Sequence, residues 1–260
     1  MTQTPDSCRI IETPALHLEF SLVPWDTEIL GVPVGQITEI ACTDRQSGAV
    51  DFGRFEHWRD ELGVRLVSCR LMHDRLNESM LLEGRGFRFI EMIYRPQFTA
   101  VREAAFPQDD LEISPATGGD LPTIDEIAGS AFKTDRFHLD PRLDRDFADR
   151  RYRRWVRTSL DHPSQRLLKV SKAGSIVAFF IVERFPDGRC YWHLTAVVPA
   201  MQRKGLGKRV WRAMIMHHRN EGIDRIETAI SAHNVAALNL YAGLSYRFQA
   251  PAMTFHWYRA

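Results

Sequence analysis

The chain has 260 residues, 44% hydrophobic and 26% charged, with a formal net charge of +1. This length supports a substantial core in one large or two modest domains, and the near-neutral balance excludes a generally basic nucleic-acid binder. The longest apolar run, Ile176 to Val182, is too short to cross a bilayer, and Cys8, Cys42, Cys69 and Cys190 show no ligand spacing, so free thiols and no metal site are expected.

The opening MTQTPDSCRIIET lacks the basic and apolar regions of a signal peptide, which points to a cytoplasmic protein. Leu16 to Leu22 and Val32 to Ile40 then read as strands from their β-branched content and turn-flanked ends. Phe52 to Leu62 reads as a helix, Val64 to Ser68 as a short strand, Asn77 to Glu83 as a helix closed by glycines, and Phe87 to Tyr94 as a strand. The polar segment Thr99 to Asp110 marks a boundary, giving an accessory α/β domain over 1–106 and a second domain over 107–260. No internal repeat of solenoid or propeller spacing is visible.

Past the boundary, Leu111 to Ser114 reads as a strand, and Asp120 with Pro122 as the start of a helix. A helix from Asp144 to Leu160 carries Ala148, Tyr152, Trp155, Val156 and Leu160 as its apolar stripe. Its arginines are expected to pair mainly with Asp144, Asp146 and Asp149. Strands follow at Leu167 to Lys172, Ser175 to Glu183 and Arg189 to Val198. Next come a glycine turn with a helix to Glu221, a strand over Asp224 to Ile230, and a helix over Val235 to Gly243. Two short strands, near Tyr246 and over Met253 to Tyr258, complete the chain. Strands alternating with helical periods predict a mixed α/β sheet flanked by helices.

The segment LTAVVPAMQRKGLGKRV, Leu194 to Val210, carries the strongest chemical signal. A strand runs straight into glycines and cations at a helix start, where four amides lack internal partners and the helix dipole is positive. Glycines allow close backbone approach, so a pyrophosphate can take several amides together. The spacing is neither that of a nucleoside triphosphate loop nor that of a dinucleotide fold.

This segment resembles motif A of the GCN5-related N-acetyltransferases (GNATs), and Ser231 to Tyr241, reading SAHNVAALNLY, resembles the family's second motif. The element order over 110–260 also resembles the GNAT order. The resemblance implies a GNAT fold with a splayed central sheet, acetyl-CoA as co-substrate, and an acyltransferase activity. It places the coenzyme on Thr195, Ala196, Val197, Val198, Met201, Gln202, Arg203, Lys204, Gly205, Leu206, Gly207, Lys208, Arg209 and Asn234, and it makes Tyr241 the proton donor to the leaving thiolate. Asn234 is also placed to cap its helix.

Within the superfamily, VPAMQRKGLG, HNVAALNLY, AMTFHWYR, AFKTDRFHLD and the N-terminal VPWDTEILGVPVGQI are similar to the dTDP-fucosamine acetyltransferases. That likeness implies an acceptor amine on a nucleotide-linked 4-amino-4,6-dideoxy sugar, met by Arg136, Phe137, His138, Tyr152 and Trp155, and a homodimer. A peptide or other small-molecule amine, and a non-catalytic acyl-CoA sensor or RNA-binding module, are the alternatives. An oxyanion is expected to meet a backbone N–H near Val197. His193 is the candidate general base, since strand parity sets it on one face with Tyr191, Thr195 and Val197.

Overall fold

The alternation of strands and helices is present throughout the computed structural model, which describes residues 8–202 and 204–259. The first elements are β1 (Arg9–Glu12), β2 (Leu16–Leu22), α1 (Pro24–Leu30), β3 (Val34–Cys42), α2 (Arg45–Glu61), β4 (Leu66–Met72), α3 (Leu76–Gly84) and β5 (Arg88–Phe98). They are followed by β6 (Leu111–Pro115), α4 (Leu121–Ala131), α5 (Arg136–Leu139), α6 (Arg145–Ser159), β7 (Gln165–Lys172), β8 (Ser175–Arg184) and β9 (Arg189–Val197). The chain ends with α7 (Leu206–Asn220), β10 (Arg225–Thr228), β11 (Ile230–Ser231), α8 (Val235–Ala242) and β12 (Arg247–Tyr258).

Compaction does not follow a single cut at 106/107. One unit takes the chain up to Ile93, Arg136–Phe147 and the segment from Ala250 on, while the other takes Tyr94–Asp135 and Ala148–Gln249. The reason is strand pairing over long sequence distance: Ala252 to Tyr258 lie antiparallel to β4, with Phe255 opposite Cys69. The two C-terminal strands expected from sequence are one, β12.

In the first unit β1, β2 and β3 are antiparallel neighbours, β3 and β4 are parallel, and β4 pairs β12. Apolar residues of α2 and α3 (Phe52, Phe55, Trp58, Leu81, Leu82) cover one face together with Val67, Cys69 and Leu71 of β4. Phe137, expected at a substrate surface, is instead buried, edge-on to Phe147 at 5.3 Å and tilted over His256 at 5.8 Å.

In the second unit the order is β5-β10-β9-β8-β7-β6. The β10–β9 pair is parallel and its neighbours are antiparallel. One face is packed by Val210, Trp211, Met214 and Ile215 of α7, the other by Ile124 and Ile127 of α4 with Tyr152 and Val156 of α6. Tyr152 stacks on Phe132 at 4.4 Å and belongs to this core. The arginines of α6 find a partner on α4: Arg157 grips Asp125 through two bonds of 2.8 and 3.0 Å, with Arg153 at 3.7 Å. Asp120 does not cap α4; its carboxylate turns back to the N–H and hydroxyl of Thr117 and to Lys169.

The two units repeat one construction. In each, an antiparallel strand pair leads through a helix to a parallel strand and then to a second helix: β2-β3-α2-β4-α3 in the first, β8-β9-α7-β10-α8 in the second.

Candidate active site

Parallel pairing of β9 with β10 runs from Arg189↔Arg225 to Trp192↔Thr228 and stops there, while β9 continues to Val197. Thr228 closes the last rung with its own hydroxyl, which donates to the Trp192 carbonyl at 2.8 Å. Beyond it the edge of β9 has no β10 partner. Val198 N–H donates to the Val177 carbonyl of β8 at 2.9 Å. Because successive residues of a strand point their backbone groups to opposite edges, Val197 N–H faces the side that β10 has left.

The strand then turns through Pro199–Met201 into α7. Gly205 is the residue before the helix, at φ +79, a left-handed conformation that glycine adopts without steric cost. No side chain caps the helix there, so the first-turn amides remain available to an anion. The exposed loop side chains brace their own backbone: Gln202 Nε2 donates to the Val197 carbonyl at 3.0 Å and Lys204 Nζ to the Ala200 carbonyl at 2.9 Å. Arg203 lies outside the described residues.

Arg209 was expected on the coenzyme, and its guanidinium is instead shared between Asp109 and Asp110, which holds the Asp109 carboxyl down at about 2. A Cβ on Gly207 would meet Leu240 of α8 at 3.8 Å, so this glycine faces the neighbouring helix. Asn234 caps α8, its side-chain oxygen accepting from Ala237 N–H at 3.2 Å.

Tyr241 projects from α8 into the core beneath β9 and β10. It is buried, and its hydroxyl lies among Trp211, Thr228 and Thr195. Burial pushes the phenol up to about 12, outweighing the neighbouring polar groups of those three residues, which favour the ionised form. The phenol is therefore held firmly in its protonated state at neutral pH.

The expected common face of Tyr191, His193, Thr195 and Val197 is corrected. The β8–β9 register slips by one residue: Leu194 is opposite Ile181, yet Trp192 is opposite Val182, leaving His193 unmatched. Cys190 and Trp192 belong to the core under α7, Leu194 and Ala196 to the core under α4 and α6, and Val197 to the α7 side again. His193 thus stands on the α6 side, 6.1 Å from the Trp155 ring and 4.8 Å from Tyr191, while Thr195 and Val197 face α7 and α8 with Tyr241. An extra residue in a strand has this effect on every side chain after it.

Sequence reasoning missed Glu183. Its Oε2 is 2.7 Å from His193 Nε2, both side chains being largely buried. Burial favours the neutral acid, but hydrogen bonds from Ser164 and His193 hold this carboxyl below its usual range. An ionised carboxylate only accepts, so Nε2 carries the proton and Nδ1 keeps the lone pair. Burial lowers the His193 pKa, with Glu183 pulling it back up. The missed signal was the pairing of Glu183 with Tyr191 across β8 and β9, which no local spacing reveals.

Residues 124–246 match the model of the acetyltransferase (GNAT) family. They are a GNAT acetyltransferase domain. That match supports an acyltransferase domain, and the GNAT family uses acetyl-CoA and an acceptor.

Solved structures agree on the GNAT fold. A GCN5-related N-acetyltransferase from Sphaerobacter thermophilus superimposes with a TM-score of 0.66 at 13% identity, over 93% of this chain and 76% of that one. A functionally unknown conserved protein from Staphylococcus epidermidis gives 0.68 at 10% identity, over 99% and 96%. A tandem GNAT protein from the clavulanic acid biosynthesis pathway gives 0.61 at 10% identity, over 95% and 81%. No curated protein matches the sequence.

Of the remaining expected site residues, Trp155 comes next to His193, with its Nε1 donating to Gln165 at 3.1 Å. Arg136, Phe137 and His138 belong to the first unit. Among the described residues, His217, His218 and Glu221 bring possible metal-ligand atoms together, but Arg184 also pairs with Glu221 and places a fixed positive charge there. No helix of the described residues is long and apolar enough to cross a membrane.

Proposed function

We propose that the GNAT domain transfers an acetyl group to the primary amine of a nucleotide-linked 4-amino-4,6-dideoxy sugar, with Tyr241 as the general acid and His193 as the general base. The observation that carries this reading is the parting of β9 from β10 beside the uncapped start of α7, with the Tyr241 hydroxyl beneath it. Acetyl-CoA supplies the activated acyl group as a thioester. The first-turn amides of α7, opened by Gly205, hold its pyrophosphate. The edge of β9 that β10 has left, beyond Trp192, takes the pantetheine amides as an added strand would.

Two proton positions then serve opposite ends of the reaction. Nδ1 of His193 accepts the proton that the ammonium acceptor must lose before attack, and Glu183 fixes that tautomer. Val197 N–H meets the oxyanion. The Tyr241 hydroxyl gives its proton to the departing thiolate. Because the register slip sets His193 and Tyr241 on opposite faces of β9, the acceptor enters from the α6 side and the thiol leaves on the α8 side. Trp155 and Tyr191 offer the acceptor aromatic faces beside His193. Sugar specificity rests on the sequence likeness of VPAMQRKGLG and HNVAALNLY. The proposal includes a cytoplasmic homodimer.

Thiol release from acetyl-CoA with a panel of dTDP- and UDP-amino sugars, peptides and polyamines tests this. Turnover confined to amino sugars supports the reading, and turnover confined to peptides replaces it with a peptide acetyltransferase.

A further inference from the structure

The first unit contains a second parting of parallel strands. β3 and β4 pair from Val34↔Leu66 to Ile37↔Cys69, and β3 then continues to Cys42 paired with β2 but not with β4. Here the approach used by a coenzyme is shut. The Asp44 carboxylate caps α2 by accepting from Ser47 N–H at 2.7 Å, and Glu78 Oε1 fills the gap by accepting from Cys42 N–H at 3.0 Å. Two carboxylates at those positions repel a pyrophosphate.

A cavity of about 270 Å³ nevertheless lies where the strands part, lined by Gln36, Ile37, Thr38, Ser68, Arg70 and Arg136. The lining holds two guanidinium groups, two hydroxyls and an amide, and no carboxylate. Strand register extends this polarity across the sheet: Gln36 and His256 both lie opposite Ser68, and Thr254 lies opposite Arg70. Directly opposed residues share a face, so three adjacent strands present polar groups on the side away from the α2 core.

Thr254 and His256 are fully buried there, and Thr254 Oγ1 and His256 Nε2 have no partner among the described residues. Such orphaned groups are rare because each forfeits its hydration. Asp140 Oδ2 accepts from His256 Nδ1 at 3.0 Å, which leaves Nε2 as a bare acceptor. The charge of Asp140 is itself met by two bonds of 2.8 Å from Arg142. Arg136 is close enough for its charge to act on His256. The cavity therefore joins guanidinium groups suited to an oxyanion with the Gln36 amide and the Thr38 and Ser68 hydroxyls, which suit an O–H, while the orphaned His256 lies behind Ser68 on the neighbouring strand.

We propose that this cavity binds a small oxyanion that also carries a hydroxyl group. Phosphate esters and hydroxy acids share that chemistry, and the coenzyme's approach at the start of α2 is closed by Asp44 and Glu78. The full chain, titrated with glycerol 3-phosphate and separately with lactate by calorimetry, tests the site.

Saturable one-site binding of either anion is expected, the tighter of the two setting the ligand class. R70Q, an exposed position, should weaken binding about tenfold or more, as loss of a charge-assisted contact does. Its melting temperature and acetyl-CoA affinity should be unaltered. Absence of saturable binding by both anions overturns the proposal. So does equal binding to R70Q, or displacement of the anion by acetyl-CoA, which would put it at the start of α7.

Discussion

The hydroxyl of Thr228 donates to the Trp192 carbonyl at 2.8 Å on the last rung between β9 and β10, directly where the two strands separate. The same residue lies against the Tyr241 hydroxyl. The end of the ladder and the proposed proton donor are thereby fixed to one point, and the chemistry is expected to depend on groups gathered there.

Replacing Tyr241 by Phe should lower kcat by about 100-fold or more, the usual scale for a lost general acid, with coenzyme affinity little changed. Because burial holds the phenol at about 12, the donor stays protonated through pH 10 and should add no alkaline limb below that. Steady-state kinetics and calorimetry on the same variant check both halves, and unaltered turnover removes Tyr241 from the mechanism.

His193 must be neutral to accept a proton, and burial holds its pKa below the ordinary value. Activity should therefore fall as pH drops through that lowered value. Glu183 acts in the opposite sense by favouring the imidazolium. E183Q should move the acid limb to still lower pH while reducing turnover about tenfold or more through loss of the tautomer. An unmoved limb in E183Q, with H193N still inactive, would leave His193 as base and remove Glu183 from its positioning role. Full activity in H193N would remove the base itself.

The two glycines of the loop should behave differently. G205A forces a side chain into a left-handed backbone and should cost about 1 kcal/mol of stability, with weaker coenzyme binding as the loop amides reorient. G207A places its methyl 3.8 Å from Leu240, an ordinary contact, at a helical position. It should be neutral or stabilising by up to about 1 kcal/mol. Urea denaturation and coenzyme titration of both variants separate backbone conformation from ligand contact.

Asp140 is buried against Arg142 and His256, and although burial opposes it, their hydrogen bonds hold this carboxyl well below the ordinary range. D140N should destabilise the fold by about 3 kcal/mol, the scale for breaking a buried pair. With a folded pKa below the unfolded one, the contribution of Asp140 is complete above about pH 4 and is lost as pH falls through the depressed value. Denaturant midpoints measured at pH 7 and near pH 3 should differ less in D140N than in the wild type.

The start of α7 was legible in the sequence because its determinants are local: a strand, a proline, two glycines and an apolar stripe at Leu206, Val210, Trp211 and Met214. The repeated construction was not, because α2 begins with Asp44 rather than glycine and shares no motif with α7. The slip at His193 was hidden for a different reason. Arg189 to Val198 reads as one unbroken strand, and only the pairing with Ile181 and Val182 exposes the extra residue. The dispersed first unit was equally hidden, since nothing near Phe255 announces that its neighbour is Cys69.

That extra residue has a wider meaning. With strict alternation, side chains two positions apart serve the same compartment, and a strand at the centre of a sheet could address only one reactant with any such pair. The one-residue slip at position 193 divides the labour, setting the imidazole on one face of the sheet and the threonine two places later on the other. Were the two strands paired without the slip, His193 and Thr195 would share one face, so the proposed separation of incoming amine from outgoing sulfur hangs on strand register as much as on the identity of any one residue.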